Sequence, residues 1–134
     1  MTPEAAQAAG AVLVSKDELF EQADILTIHL VLSGRTRSLV GAAELALMKP
    51  TARLINASRG PIVDEQALIS ALRNRQIAGA AIDVFDIEPL PASHPFRTID
   101  NVLATPHIGY VSQDLYRTFY EDSVSNIRKW LGTR

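Results

Sequence analysis

An α/β fold built on a parallel sheet follows from three properties of this chain. Short apolar runs of strand length alternate with stretches of helical periodicity. The longer runs are apolar almost throughout, the pattern of strands buried in a covered sheet. Three of them end in ionisable side chains, around Arg59, at Asp83 and Glu88, and at His107. Strands alternating with helices imply right-handed crossovers, so consecutive strands should lie parallel with helices on both faces. The 134 residues are enough for one domain, 1–134, with a real core.

The elements follow in order. Pro3 to Ala9 forms a short helix with Thr2 as N-cap, Pro3 at the first helical position and Gly10 as terminator. Ala11 to Val14 is expected to be a short strand. Ser15 then caps a helix running to about Ala23, and Glu18, three positions on, completes a capping-box pattern. Asp24 to Leu30 is an apolar strand, Ser33 to Thr36 a loop, and Gly41 to Met48 a helix that Lys49-Pro50-Thr51 breaks. Ala52 to Asn56 is the next strand and Asp64 to Arg75 the next helix, whose apolar face is supplied by Leu68, Ile69 and Leu72. Gly79 to Val84 and Val102 to Thr105 are the last strands, and a final helix spans about Ser112 to Leu131. Between those strands, Asp86 to Thr98 holds three of the seven prolines and reads as a surface loop.

Composition removes several classes of function. A net charge of -2 and the lack of basic runs argue against nucleic-acid binding. With no cysteine there are no disulfides and no thiolate ligands, and with neither a targeting segment nor a long uncharged apolar run a cytoplasmic location is expected. The three histidines, His29, His94 and His107, have no zinc-type spacing and no H-E-x-x-H, so no metal is expected. Ser58 lacks a G-x-S-x-G setting, which excludes the usual hydrolase elbow.

What remains is chemistry at the carboxyl ends of strands, where α/β sheets bind ligands. The planar fork of Arg59 suits a carboxylate, and its remaining donors can polarise a neighbouring keto oxygen. The plainer alternative for Arg59 is a surface pair with Asp64. Histidine exchanges protons near neutral pH, and a carboxylate such as Glu88 within hydrogen-bond reach of His107 would fix its tautomer. Only the fold can bring these two together, and a lone His beside Pro106 is otherwise a loop-stabilising residue. Asp83, in an apolar strand, is costly to bury without partners, so it either reaches a polar ligand group or caps a neighbouring loop. His29 ends a strand and is placed to line a cleft, whereas His94 reads as a solvated or loop-packing residue.

The stretches Asn56-Ala57-Ser58-Arg59-Gly60-Pro61-Ile62-Val63-Asp64-Glu65, Gly79 to Pro89, and Thr105-Pro106-His107-Ile108-Gly109 together resemble the D-isomer-specific 2-hydroxyacid dehydrogenases. The resemblance implies that Arg59 binds the substrate carboxylate and that Glu88 pairs with His107. It makes His107 the acid that protonates the keto oxygen during reduction. It also implies that Asp83 holds the nicotinamide amide of NAD or NADP, with Leu30, Ala57 and Gly109 as further cofactor contacts and a small 2-keto or 2-hydroxy acid as substrate. Formate dehydrogenases are similar here but carry Gln where Glu88 stands, which favours the hydroxyacid branch. Val31 stands where the family usually has Pro.

The resemblance covers only part of that family's fold. The family's cofactor domain opens with a strand, a G-x-G-x-x-G turn and a helix that holds the pyrophosphate; no glycines here lie close enough for that turn. The chain therefore reads as a partial Rossmann-type sheet lacking its first βαβ unit and the substrate lobe, with Met1 as a truncation point. In the order 3-2-1-4-5-6, the missing strands are central. Ala11 to Val14 would then lose its neighbour, and the strand from Asp24 would gain an open edge that invites homo-oligomerisation, unless the first strand moves to cover it. Activity alone should be very low. A cofactor-sensing or co-repressor-like binding protein and an oligomerisation module are the alternatives, because fold does not fix function.

Overall fold

The computed structural model describes residues 2–132. Four strands, β1 (Ile25–Ile28), β2 (Arg53–Asn56), β3 (Gly79–Ile82) and β4 (Val102–Ala104), form one parallel sheet in the order β1-β2-β3-β4. Five α-helices accompany them: α1 (Pro3–Ala8), α2 (Lys16–Gln22), α3 (Ala42–Leu47), α4 (Glu65–Arg73) and α5 (Gln113–Gly132). Each strand lies beside the next in sequence, as short crossovers require.

Register explains the distribution of burial. Leu26 pairs with Leu54, Leu54 with Ala80, and Ala80 with Val102, so one row of side chains crosses the sheet on a single face. Leu26, Leu54 and Ala80 are buried, and Ile28, Asn56 and Ile82 form a second buried row two residues on. On the opposite face Ile25 and Leu103 remain exposed. α4 covers the buried face with Leu68, Ile69, Ala71 and Leu72. Each fully buried leucine there contributes about 1.5–3 kcal/mol.

Helix ends follow their sequence signals. The Thr2 side chain accepts from the Ala5 N–H at 3.3 Å. Ser15 Oγ accepts from the Glu18 N–H at 3.2 Å, and Glu18 accepts in return from the Ser15 N–H at 2.9 Å. Asp64 starts α4 by accepting from the Ala67 N–H at 2.9 Å. At α3 the Glu44 carboxylate accepts from the Gly41 N–H and also pairs with Lys16 at 2.6 Å, tying α2 to α3. These two hydrogen bonds, led by that to Lys16, hold the Glu44 carboxyl below the usual range.

One expected strand is absent. Residues 11 to 14 form no ladder, and Val12 is 85% exposed. β-propensity gives a strand only when a neighbour accepts its backbone groups, and among the described residues no strand lies beside this segment. β1 is accordingly an edge of the sheet, and the first segment does not cover it. The Asp86 to Thr98 stretch is also more ordered than a plain loop, because Pro95–Arg97 forms a 3-10 turn that buries Phe96. Among the described residues no helix is long and apolar enough to cross a membrane.

Candidate functional site

The carboxyl end of β2 is organised by Asn56. Its buried amide accepts from the Ser58 N–H at 3.1 Å and donates to the Arg59 carbonyl at 3.0 Å, an Asx-type turn that stops the strand. Ser58 Oγ donates to the Ile28 carbonyl at 2.8 Å, which ties this turn to the end of β1. Arg59 sits just outside, exposed, with one guanidinium nitrogen donating to the Ser58 carbonyl at 2.6 Å. Among the described residues no ion pair joins it to Asp64, whose carboxylate caps α4 instead. Gly60 then has to be glycine, because a Cβ there would collide with the Phe85 carbonyl. That close approach brings the Arg59 turn against the start of the Glu88 loop.

Glu88 is held from two sides. One carboxylate oxygen accepts from the Phe85 N–H at 2.9 Å and the other lies 2.7 Å from Nδ1 of His107. The hydrogen bond to His107, then that from Phe85, holds the Glu88 carboxyl below the usual range, and the charges of His107 and Arg59 add to the effect. An ionised Glu88 accepts only, so Nδ1 of His107 carries the proton and Nε2 is left for other chemistry. The side chains of this pair are 38% and 36% exposed, open enough to meet a ligand. They sit on the rim of an open groove of about 860 Å³ that also includes Phe85, Leu90, Phe96 and Leu103.

His107 has φ of +57°, a left-handed conformation that a non-glycine residue adopts only under restraint. The restraint comes from Asp83 at the end of β3. Its Oδ1 accepts from Thr105 Oγ1 at 2.5 Å and the Ile108 N–H at 2.9 Å, and its Oδ2 accepts from the Gly109 N–H at 2.8 Å. Burial alone would push the Asp83 carboxyl up, but these bonds outweigh it and hold it below the usual range. Of the two sequence readings, the loop-capping role is thus filled.

The other residues of interest divide. A Cβ on Gly109 would sit 4.0 Å from that of Ala57 and 2.9 Å from Asp83 Oδ2, so Ala57, Asp83 and Gly109 converge. Leu30 is 46% exposed just beyond β1. His29 bonds through Nε2 to Thr27 Oγ1 at 3.0 Å. His94 packs its loop: its Nδ1 accepts from the Phe96 N–H at 3.2 Å, and its Nε2 meets Glu65 at 3.0 Å. Sequence reasoning passed over Asn56, Thr105 and the Phe85 N–H. Asn directly after an apolar run was a readable turn signal, whereas Thr105 and a backbone N–H carried none.

Comparison with known proteins bears on this geometry. The family described as D-isomer specific 2-hydroxyacid dehydrogenase, NAD binding domain, matches residues 1–109. A D-3-phosphoglycerate dehydrogenase of Synechocystis sp. is 44% identical over 128 residues, which are 96% of this chain and 23% of that protein. An oxidoreductase structure from Ralstonia solanacearum, described as a D-3-phosphoglycerate dehydrogenase, superimposes with a TM-score of 0.87 at 43% identity over 96% of this chain and 38% of that one. A D-isomer specific 2-hydroxyacid dehydrogenase from Xanthobacter autotrophicus, solved with NADPH and MES, gives a TM-score of 0.67 at 46% identity, covering 69% of this chain and 29% of that one. The chain thus spans between about a quarter and two-fifths of the length of these relatives.

Proposed function

The chain belongs to the D-isomer specific 2-hydroxyacid dehydrogenase family through its NAD-binding domain, and on that premise we propose that it carries the acid-base and carboxylate-binding half of a dehydrogenase site acting on small 2-keto and 2-hydroxy acids. The observation that carries the reading is the Glu88–His107 pair at 2.7 Å, with the Arg59 charge acting on the same carboxylate. Arg59 presents its outer donors to the substrate carboxylate and the adjacent keto oxygen. His107, protonated on both nitrogens, donates from Nε2 to that oxygen as it gains charge, while Glu88 keeps Nδ1–H oriented and stabilises the imidazolium. In the reverse direction Nε2 accepts the hydroxyl proton.

A bound nicotinamide cofactor would supply or accept the hydride at the substrate carbon. The residues that would hold its nicotinamide end are Asp83, Ala57 and Gly109, which converge so closely that a side chain at Gly109 would press on the Asp83 carboxylate. Leu30, exposed just beyond β1, is the further cofactor contact of the proposal. NAD and NADP both remain ligands of the proposal. Because positioning contributes much of catalysis, the 134-residue chain by itself is expected to turn over very slowly. We further propose that it self-associates through the open edge of β1, a proposal that a monodisperse monomer in size-exclusion chromatography with light scattering would remove.

The test is a two-part NMR titration of the labelled chain. NADH and NADPH should shift the amides of Ala57, Asp83 and Gly109, and a 2-keto acid such as glyoxylate should shift the Arg59 and His107 side chains. Shifts scattered elsewhere, or none at millimolar ligand, would overturn the assignment.

A further inference from the structure

We propose that Asp83 and Thr105 form a positioning clamp that aims the His107 ring at Glu88. The inference rests on the acid-base reading above and assigns a role to Thr105, whose hydroxyl takes no other part in the site. Three donors on both sides of His107 in sequence, the Thr105 hydroxyl before it and the Ile108 and Gly109 N–H groups after it, converge on one buried carboxylate. Fixing both flanks leaves His107 between them at φ +57°. The His107 N–H closes the turn on the Thr105 carbonyl at 3.0 Å. Without the flanking bonds, a histidine relaxes toward negative φ, where its Cα–Cβ bond points elsewhere. The clamp thus converts a strained backbone into the direction of a side chain.

The carboxylate is chemically matched to this task. It accepts only, through two oxygens, and three donors use both. An amide in its place must turn NH₂ toward one of those donors. Gly109 belongs to the same device, because a Cβ there would press on Asp83 Oδ2 at 2.9 Å.

The test compares the 134-residue chain with Asp83→Asn, Thr105→Val and Thr105→Ser. The readouts are the ¹⁵N shifts of the His107 ring, measured where it is neutral, and hydrogen exchange at Ile108 and Gly109. The parent should show His107 mainly as the Nδ1–H tautomer. Asp83→Asn should raise the Nε2–H fraction several-fold and speed exchange at both amides by about tenfold or more. Thr105→Val should do the same to a smaller extent, and Thr105→Ser should restore the parent pattern. Should Asp83→Asn fail to fold, the threonine pair carries the test. Faster exchange with an unchanged tautomer would reduce Asp83 to a loop staple and overturn the proposal, as would failure of serine to rescue. A parent ring without the Nδ1–H preference would overturn both the clamp and the Glu88–His107 pairing. An intact tautomer response without ligand-induced shifts would leave the clamp standing and remove the function.

Discussion

α4 and α5 are both amphipathic, yet they have opposite fates. α4 buries Leu68, Ile69, Ala71 and Leu72 against the sheet, with Leu72 fully enclosed. α5 is 20 residues long and buries none, so Leu115, Tyr116, Phe119, Val124 and Ile127 all stay exposed. The two helices show that an apolar stripe states a requirement for a partner surface without supplying one. α4 meets that surface because it lies in the crossover between two paired strands, β2 and β3. α5 follows β4, and among the described residues no strand comes after it.

The strongest test of this contrast is truncation inside each helix. Leu72→Ala should lower unfolding stability by about 2–5 kcal/mol through the cavity it leaves, read by urea denaturation. Gly60→Ala, where the chain crosses closest to the Phe85 backbone, should cost about 1–3 kcal/mol from overpacking and should also disturb the NMR signals of Arg59 and Glu88. Ser15→Ala should cost about 1 kcal/mol by removing a cap from α2. Phe119→Ala should fall within about 0.5 kcal/mol; a loss as large as that of Leu72→Ala would show that α5 is packed in solution and would break the comparison.

Acid should act on the body of the fold through its bonded carboxylates. Glu44, Glu88 and Asp83 are held below their ordinary values. A carboxyl lowered on folding stabilises above its unfolded value, and that stabilisation is lost as pH falls through the folded one. Stability is therefore expected to be level near neutrality and to decline as pH falls through and below the ordinary carboxylate range. Carboxyl ¹³C titration of Glu88 checks the sign: a midpoint at or above the ordinary glutamate value would contradict the pairing with His107.

The legible parts of the molecule are those whose cause is local. The Ser15–Glu18 box, the Asp64 cap and the four strands that form the sheet were all readable, since capping and periodicity act within a few residues. The sequence also pointed to Glu88 and His107 as partners, and the fold brings them to 2.7 Å. The strand expected at residues 11 to 14 failed for the opposite reason, because its hydrogen bonds depend on a neighbour that propensity cannot provide.

By itself, then, the sequence determined the helices and the four strands of the sheet, though not the fate of residues 11 to 14, and which ionisable groups would stand at strand ends. Tertiary structure alone decided that Asp83 would spend its oxygens on Thr105, Ile108 and Gly109, that His107 would be held at positive φ, and that α5 would remain uncovered. The physical reason is range: caps and periodicity are satisfied along the chain, whereas a buried carboxylate or an apolar face is satisfied only by whatever the fold places opposite it.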